Sequence, residues 1–238
     1  MTGAAVGYRV PVAVPRPERW LFAVAAAGWL GLLALGTVDL LRGHGDHGPL
    51  GPHVLGGLAM VAVMAPLVAP NVRYAALRSP AQVRGRVTVE VAAGWVLVWV
   101  GVAVLLGAGA LLATSALGAL GAVGLTTAVA VGWQHSAPKR RSLTRCHRVL
   151  APPLDRERSR RACRRFGVRL GADCALSCWP LMALMAVAGH GPLIAAGAVG
   201  IAWYERRRRP HHDPGTAETS LAIVAVGATA CVLAVLAG

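Results

Sequence analysis

The sequence predicts an all-α fold: a polytopic bundle of about seven transmembrane helices, N-terminus cytoplasmic and C-terminus outside. Three observations predict it. Hydrophobic residues fill 55% of the 238 positions at a mean hydropathy of +0.56, too apolar for a water-soluble domain. The apolar residues gather into runs long enough to cross about 30 Å of hydrocarbon at about 1.5 Å per helical residue. The basic residues fall between those runs, so the net charge of +14 reads as membrane topology.

Residues 1–19 form a Pro-punctuated cytoplasmic tail with Arg9, Arg16 and Arg19, and residues 20–238 a single transmembrane domain. The first span runs from Trp20 to Leu41, apolar except for Asp39. Its length and the lack of a small-residue cleavage site predict an uncleaved helix. The next loop carries His44, Asp46 and His47, and His53 opens a second span that reaches about Pro70 with Met60, Met64 and Pro66 inside it. Arg73, Arg78, Arg84 and Arg86 follow. Val91 to Pro138 holds no charged residue, and as one helix its 48 residues would measure about 72 Å. That is more than twice the membrane thickness and predicts a hairpin of two spans, with its turn between Gly107 and Ser115, where Gly, Ser and Thr cluster.

Residues 139–169 form a basic cytoplasmic loop with 12 of the 24 Lys and Arg. A fifth span follows, broken at Gly189-His190-Gly191-Pro192. The sixth, residues 192–205, is short at about 21 Å, so distortion or shielding by neighbours is expected. Arg206 to Arg209 stop it, and Ser220 to Leu236 forms the seventh. With this count all basic residues except Arg42 fall on one side, which the positive-inside rule makes cytoplasmic.

Cys174 and Cys178 are four residues apart in the fifth span, so a helix places both thiols on one face with Cβ atoms about 5–6 Å apart. That spacing is wide for a disulfide and comfortable for two sulfurs on one soft metal ion. Cys146 and His147 lie in the segment that should meet the beginning of this span, and His135 lies nearby. Folding is therefore expected to gather three sulfurs at the inner leaflet. If the second and fifth spans are neighbours, His53 comes level with His190, Met60 with Met182 or Met185, and Met64 with Cys178. Together with His44 and His47 these are candidate outer or conduit ligands. Each signal has a plainer reading: Gly171, Ala175 and Cys178 as a close-packing stripe, methionines as core filling, loop histidines as solvated surface, and Asp173 as an ion-pair partner of Arg169. No hydrolase motif, Walker loop or folded basic module for nucleic acid is present.

The stretches Trp133-Gln134-His135-Ser136 with Lys139, Leu143 and Cys146, then Gly171-x-x-Cys174-x-x-x-Cys178-Trp179-x-Leu181-Met182, with Met60-x-x-x-Met64-x-Pro66, resemble the DUF2182 family of bacterial integral membrane proteins with a predicted metal-binding role. The resemblance covers about residues 53–205. It implies a helical membrane fold and a metal site at these cysteines. The family pattern has a further cysteine four residues before Cys146, where this chain has Ser142.

The expected protein is thus a multi-pass protein of the bacterial cytoplasmic (inner) membrane that binds a soft or borderline transition metal. Copper is the foremost candidate and zinc a possible one. Cys146, Cys174 and Cys178 would be the ligands, with His147 or His135 as a fourth. It would serve metal handling or delivery to a membrane metalloenzyme rather than catalysis, with the lipid bilayer and another membrane protein as partners and no nucleic acid. Two alternatives stand beside it: a membrane thiol oxidoreductase using Cys146, Cys174 and Cys178, whose buried helix would oppose the low thiol pKa it needs, and a structural subunit of a membrane complex.

Overall fold

The structure is a computed structural model and describes residues 16–42, 51–147, 158–208 and 216–237, the last few side chains at some of these edges excepted. Seven α-helices and a short 3-10 turn, Ala81–Val83, make up the described residues: α1 (Arg19–Arg42), α2 (Gly51–Leu77), α3 (Arg84–Gln134), α4 (Ala137–His147), α5 (Arg158–Val187), α6 (Pro192–Arg207) and α7 (Thr216–Ala237). Five of them, α1, α2, α3, α5 and α7, are long and apolar enough to cross a membrane. Large apolar side chains such as Leu97, Leu105, Leu112, Leu221 and Leu236 face outward, as lipid contact requires.

Helix α3 is a folded-back pair of arms. Trp95 packs by its carbonyl against Gly171 of α5, and Trp133 donates a hydrogen bond to the carbonyl of Leu176, only five residues further along α5. In a straight helix the two tryptophans would stand about 57 Å apart. The chain reverses at Gly118, whose φ of 70° and ψ of 169° are open to glycine and strained for other residues. The uncharged stretch therefore does form a hairpin, but its turn is at Gly118 and not between Gly107 and Ser115. Gly107 and Gly109 stay helical inside the first arm, because composition marks several candidate turns and only the backbone conformation selects one.

The first arm of α3 lies against α5 with the backbones nearly touching. A Cβ on Gly167 would stand 2.1 Å from the carbonyl oxygen of Val91, and one on Gly94 would stand 2.4 Å from that of Arg164. Small residues allow this approach, and in a membrane such close packing replaces much of the hydrophobic drive between helices. The Arg164–Glu90 ion pair fastens the same contact.

Ion pairs sit at one end of the bundle: Glu18–Arg73, Glu90–Arg164, Arg145–Asp173, Lys139–Glu205 and Arg208–Glu218. At the other end Gly36 of α1 meets Pro192, and the ring of His190 covers Gly56 of α2. There α5 ends in a Schellman turn: Gly189 is left-handed at φ 76°, and the His190 N–H reaches back to the Met185 carbonyl at 3.0 Å. Helices α2 and α5 are thus neighbours at this end. Met60, Met64, Met182 and Met185 are all buried in one continuous apolar core with Cys146, Cys174 and Cys178.

Candidate metal centre

Four residues of the Trp133–Lys139 stretch have local tasks. Pro180 lies inside α5 and has no N–H, so the Leu176 carbonyl lacks its helical donor. The Trp133 indole supplies one at 3.0 Å and stacks edge-on against Trp179, centroids 5.5 Å apart. Ser136 caps α4, its Oγ accepting the Lys139 N–H at 3.3 Å. Gln134 donates to Glu205 Oε1 at 2.8 Å, and Lys139 donates to Glu205 Oε2 at 2.9 Å. The second arm of α3 and α4 are thereby tied to α6 and α5, and α4 carries Cys146 inward.

Cys146, Cys174 and Cys178 are buried free thiols. All three line one small cavity of ≈ 20 Å³, with Glu205 and Arg206 of α6 and Ser177 in its wall. That volume accommodates about one water or one ion. The Cys178 thiol donates to the Cys174 carbonyl at 3.0 Å, a carbonyl that also accepts the Ser177 hydroxyl at 2.7 Å. As the side chains stand, no three of the described His, Cys, Asp and Glu residues are close enough together to clasp one ion. The three sulfurs share a cavity without forming a closed set.

The electrostatics are mixed. Burial pushes the Cys146 thiol up to about 12; the nearby Cys174 thiol adds to this, and Arg206 and Arg145 oppose it. Trp95 and Trp99 pack together with centroids 5.9 Å apart and face the Cys174 thiol. The Trp99 indole N–H is buried with no hydrogen-bond partner. An orphaned donor beside a sulfur suits a site whose sulfur becomes anionic, as a metal-bound thiolate is.

The remaining candidates are dispersed. His135 is exposed, its Nε2 3.4 Å from Ser220 Oγ of α7. His190 and the four methionines lie further along the bundle. His44, Asp46 and His47 lie outside the described residues, as do the side chains of His53 and His147. Ser142 is fully buried but spends its hydroxyl on the Lys139 carbonyl at 2.8 Å. Asp173 pairs with Arg145 at 3.5 Å, not with Arg169, because α4 docks along the start of α5 and brings Arg145 over it. Glu205, Arg206, Trp95 and Trp99 were not singled out by sequence reasoning. The one available signal was a lone carboxylate, Glu205, directly before four arginines.

Residues 56–230, nearly three quarters of the chain, match the model of a family described as "PpoB2: Copper chaperone". It is the family whose motifs the sequence resembles. No curated protein and no solved structure gives a significant match.

Proposed function

Because the chain belongs to the PpoB2 family of copper chaperones, we propose that it holds Cu(I) as cargo at Cys174 and Cys178, with Cys146 completing the set, and passes it to a metalloenzyme of the same membrane. The observation that carries this reading is the cavity of ≈ 20 Å³ lined by all three of these buried free cysteines. Thiolates select Cu(I), and a sulfur-rich site with no described histidine at hand favours it over zinc.

Loading needs two small movements. The Cys178 thiol leaves the Cys174 carbonyl, which keeps the Ser177 hydroxyl as a donor, and Cys146 draws toward the pair. A Cu(I) trithiolate carries net negative charge. Arg206, Arg145 and the Trp99 N–H offset it, while the Lys139–Glu205 pair contributes no net charge. An open arrangement of the described thiols suits a carrier that must also release its cargo. In this reading the chain crosses the cytoplasmic membrane seven times, α3 counting twice and α6 once, with the ion-paired end inside. The buried methionines, His190 and the loop histidines are the conduit toward the outer face.

The test is the copper-to-protein ratio of detergent-purified protein after Cu(I) loading, for the natural sequence and for Cys174→Ser with Cys178→Ser. Stoichiometric copper that the double variant loses supports the reading. Equal copper in both proteins refutes it.

A further inference from the structure

Beside the thiol cavity lies a second, wider one of ≈ 380 Å³, lined by Pro66, Pro70 and Asn71 of α2, Trp203, Arg206 and Arg207 of α6, and Cys146. Cys146 and Arg206 line both cavities. The wider cavity is thus a vestibule that shares Cys146 with the thiol cavity. Its volume falls in the range that receives a small molecule of a few hundred daltons.

The polar groups of the vestibule are mostly donors. Two guanidinium groups line it, that of Arg207 held 4.7 Å above the Trp203 ring. Asn71 is 3% exposed, and its side-chain N–H2 has no hydrogen-bond partner. Among the described residues no carboxylate lines this cavity. A buried amide donor without an acceptor is costly unless something occupies the site, and two arginines in the same wall suit an oxyanion such as a carboxylate. The apolar remainder, two prolines, Leu67 and an indole, accommodates a short organic chain.

We propose that the vestibule receives a low-molecular-weight thiol bearing carboxylates, in its Cu(I) complex, and that Cys146 takes the metal from it. This rests on the copper reading above and names the form in which the cargo arrives. The step is a ligand exchange: the carrier's Cu–S bond breaks as a bond from Cu(I) to the Cys146 sulfur forms, the Cys146 proton passes to the departing carrier sulfur, and copper stays Cu(I). Arg206, facing both cavities, stabilises the anionic sulfur on either side of the exchange. Arg207 and Asn71 hold the carrier's carboxylate and are positioning residues.

The full chain in nanodiscs of neutral lipid tests this with two probes, Cu(I)-glutathione and Cu(I)-glutathione diethyl ester, matched in free Cu(I). The two share a thiol and differ in their carboxylates. The natural sequence is expected to load about tenfold faster from the acid, which corresponds to about 1.4 kcal/mol. In Arg207→Gln the preference falls toward equality and final copper content is unchanged; Arg207→Lys recovers part of it. Equilibrium dialysis of copper-free S-methylglutathione gives a readout independent of the metal: retention by the natural sequence, and loss in Arg207→Gln and in Asn71→Leu. Full loading at equal rates from acid and ester, with no retained S-methylglutathione, overturns the vestibule and leaves the copper reading intact. No copper taken from either probe overturns the copper reading itself.

Discussion

Lys139 Nζ lies 2.9 Å from Glu205 Oε1, with the two side chains only 6% and 7% exposed. The pair joins α4 to α6, whose Glu205 lines the thiol cavity, and Gln134 gives Glu205 a further donor at 2.8 Å. Burial removes both charges from water, so the pair stands only because each answers the other.

Lys139→Met leaves the Glu205 carboxylate buried with a single amide donor and is expected to lower unfolding free energy by about 3–5 kcal/mol. Adding Glu205→Met removes the stranded charge and should recover most of that loss. Denaturant unfolding in detergent reads both values. A Lys139→Met protein as stable as the natural one would mean that the pair does not hold α4 in place.

The Trp133 hydrogen bond exists to satisfy the carbonyl that Pro180 strands. Trp133→Phe keeps the ring and removes the donor, at a cost of about 1 kcal/mol. In a Pro180→Ala background the helix supplies its own N–H to Leu176, so the same substitution should cost much less. A double-mutant cycle measures the coupling, and equal costs in the two backgrounds would refute it.

Gly167→Val places its side chain into the Val91 backbone, where a Cβ alone would stand 2.1 Å from the carbonyl oxygen. Backbone cannot yield as a flexible side chain does, so the arm of α3 must lift off α5. The expected result is destabilisation of at least about 3 kcal/mol, or failure to purify as a monodisperse protein. Gly85→Ala, where a Cβ meets nothing within 4 Å, should leave purification and melting unchanged.

Copper loading should expel protons. In the copper-free fold the Cys146 proton is held up to about 12, above the ordinary thiol value of 9.0, so at any pH near neutrality binding must displace it. Lowering pH therefore favours the empty site. Between about pH 6 and pH 8 the logarithm of the apparent dissociation constant should fall with rising pH, and Cys146→Ala should reduce that slope by about one proton. Competition titration with a Cu(I) chelator at several pH values checks both, and an unchanged slope would place Cys146 outside the ligand set.

Much of this fold is legible in the sequence because lipid imposes length and polarity on every segment. The apolar runs mark the helices, and the uncharged stretch after Glu90 is too long to be anything but a hairpin. The turn was not legible: Gly107, Gly109, Gly118 and Gly121 look alike in composition, and only Gly118 takes the left-handed backbone. Cys174 and Cys178 announce themselves by helical spacing. Glu205, Arg206 and Asn71 do not, because their importance comes from which helices pack together, and a run of arginines after an apolar helix reads first as a membrane stop. His135 is a candidate by its nearness in sequence to Cys146, and its contact with Ser220, 3.4 Å from its Nε2, depends on the docking of α7, which the local sequence does not reveal.

The most direct test of the central claim is the X-ray absorption spectrum of the Cu(I)-loaded chain, compared with those of Cys146→Ser, Cys174→Ser and Cys178→Ser. The prediction is Cu(I) with sulfur neighbours only in the natural protein, and a lower sulfur count or lost copper in every variant. A first shell of nitrogen or oxygen, or a sulfur shell unchanged by all three substitutions, would contradict it.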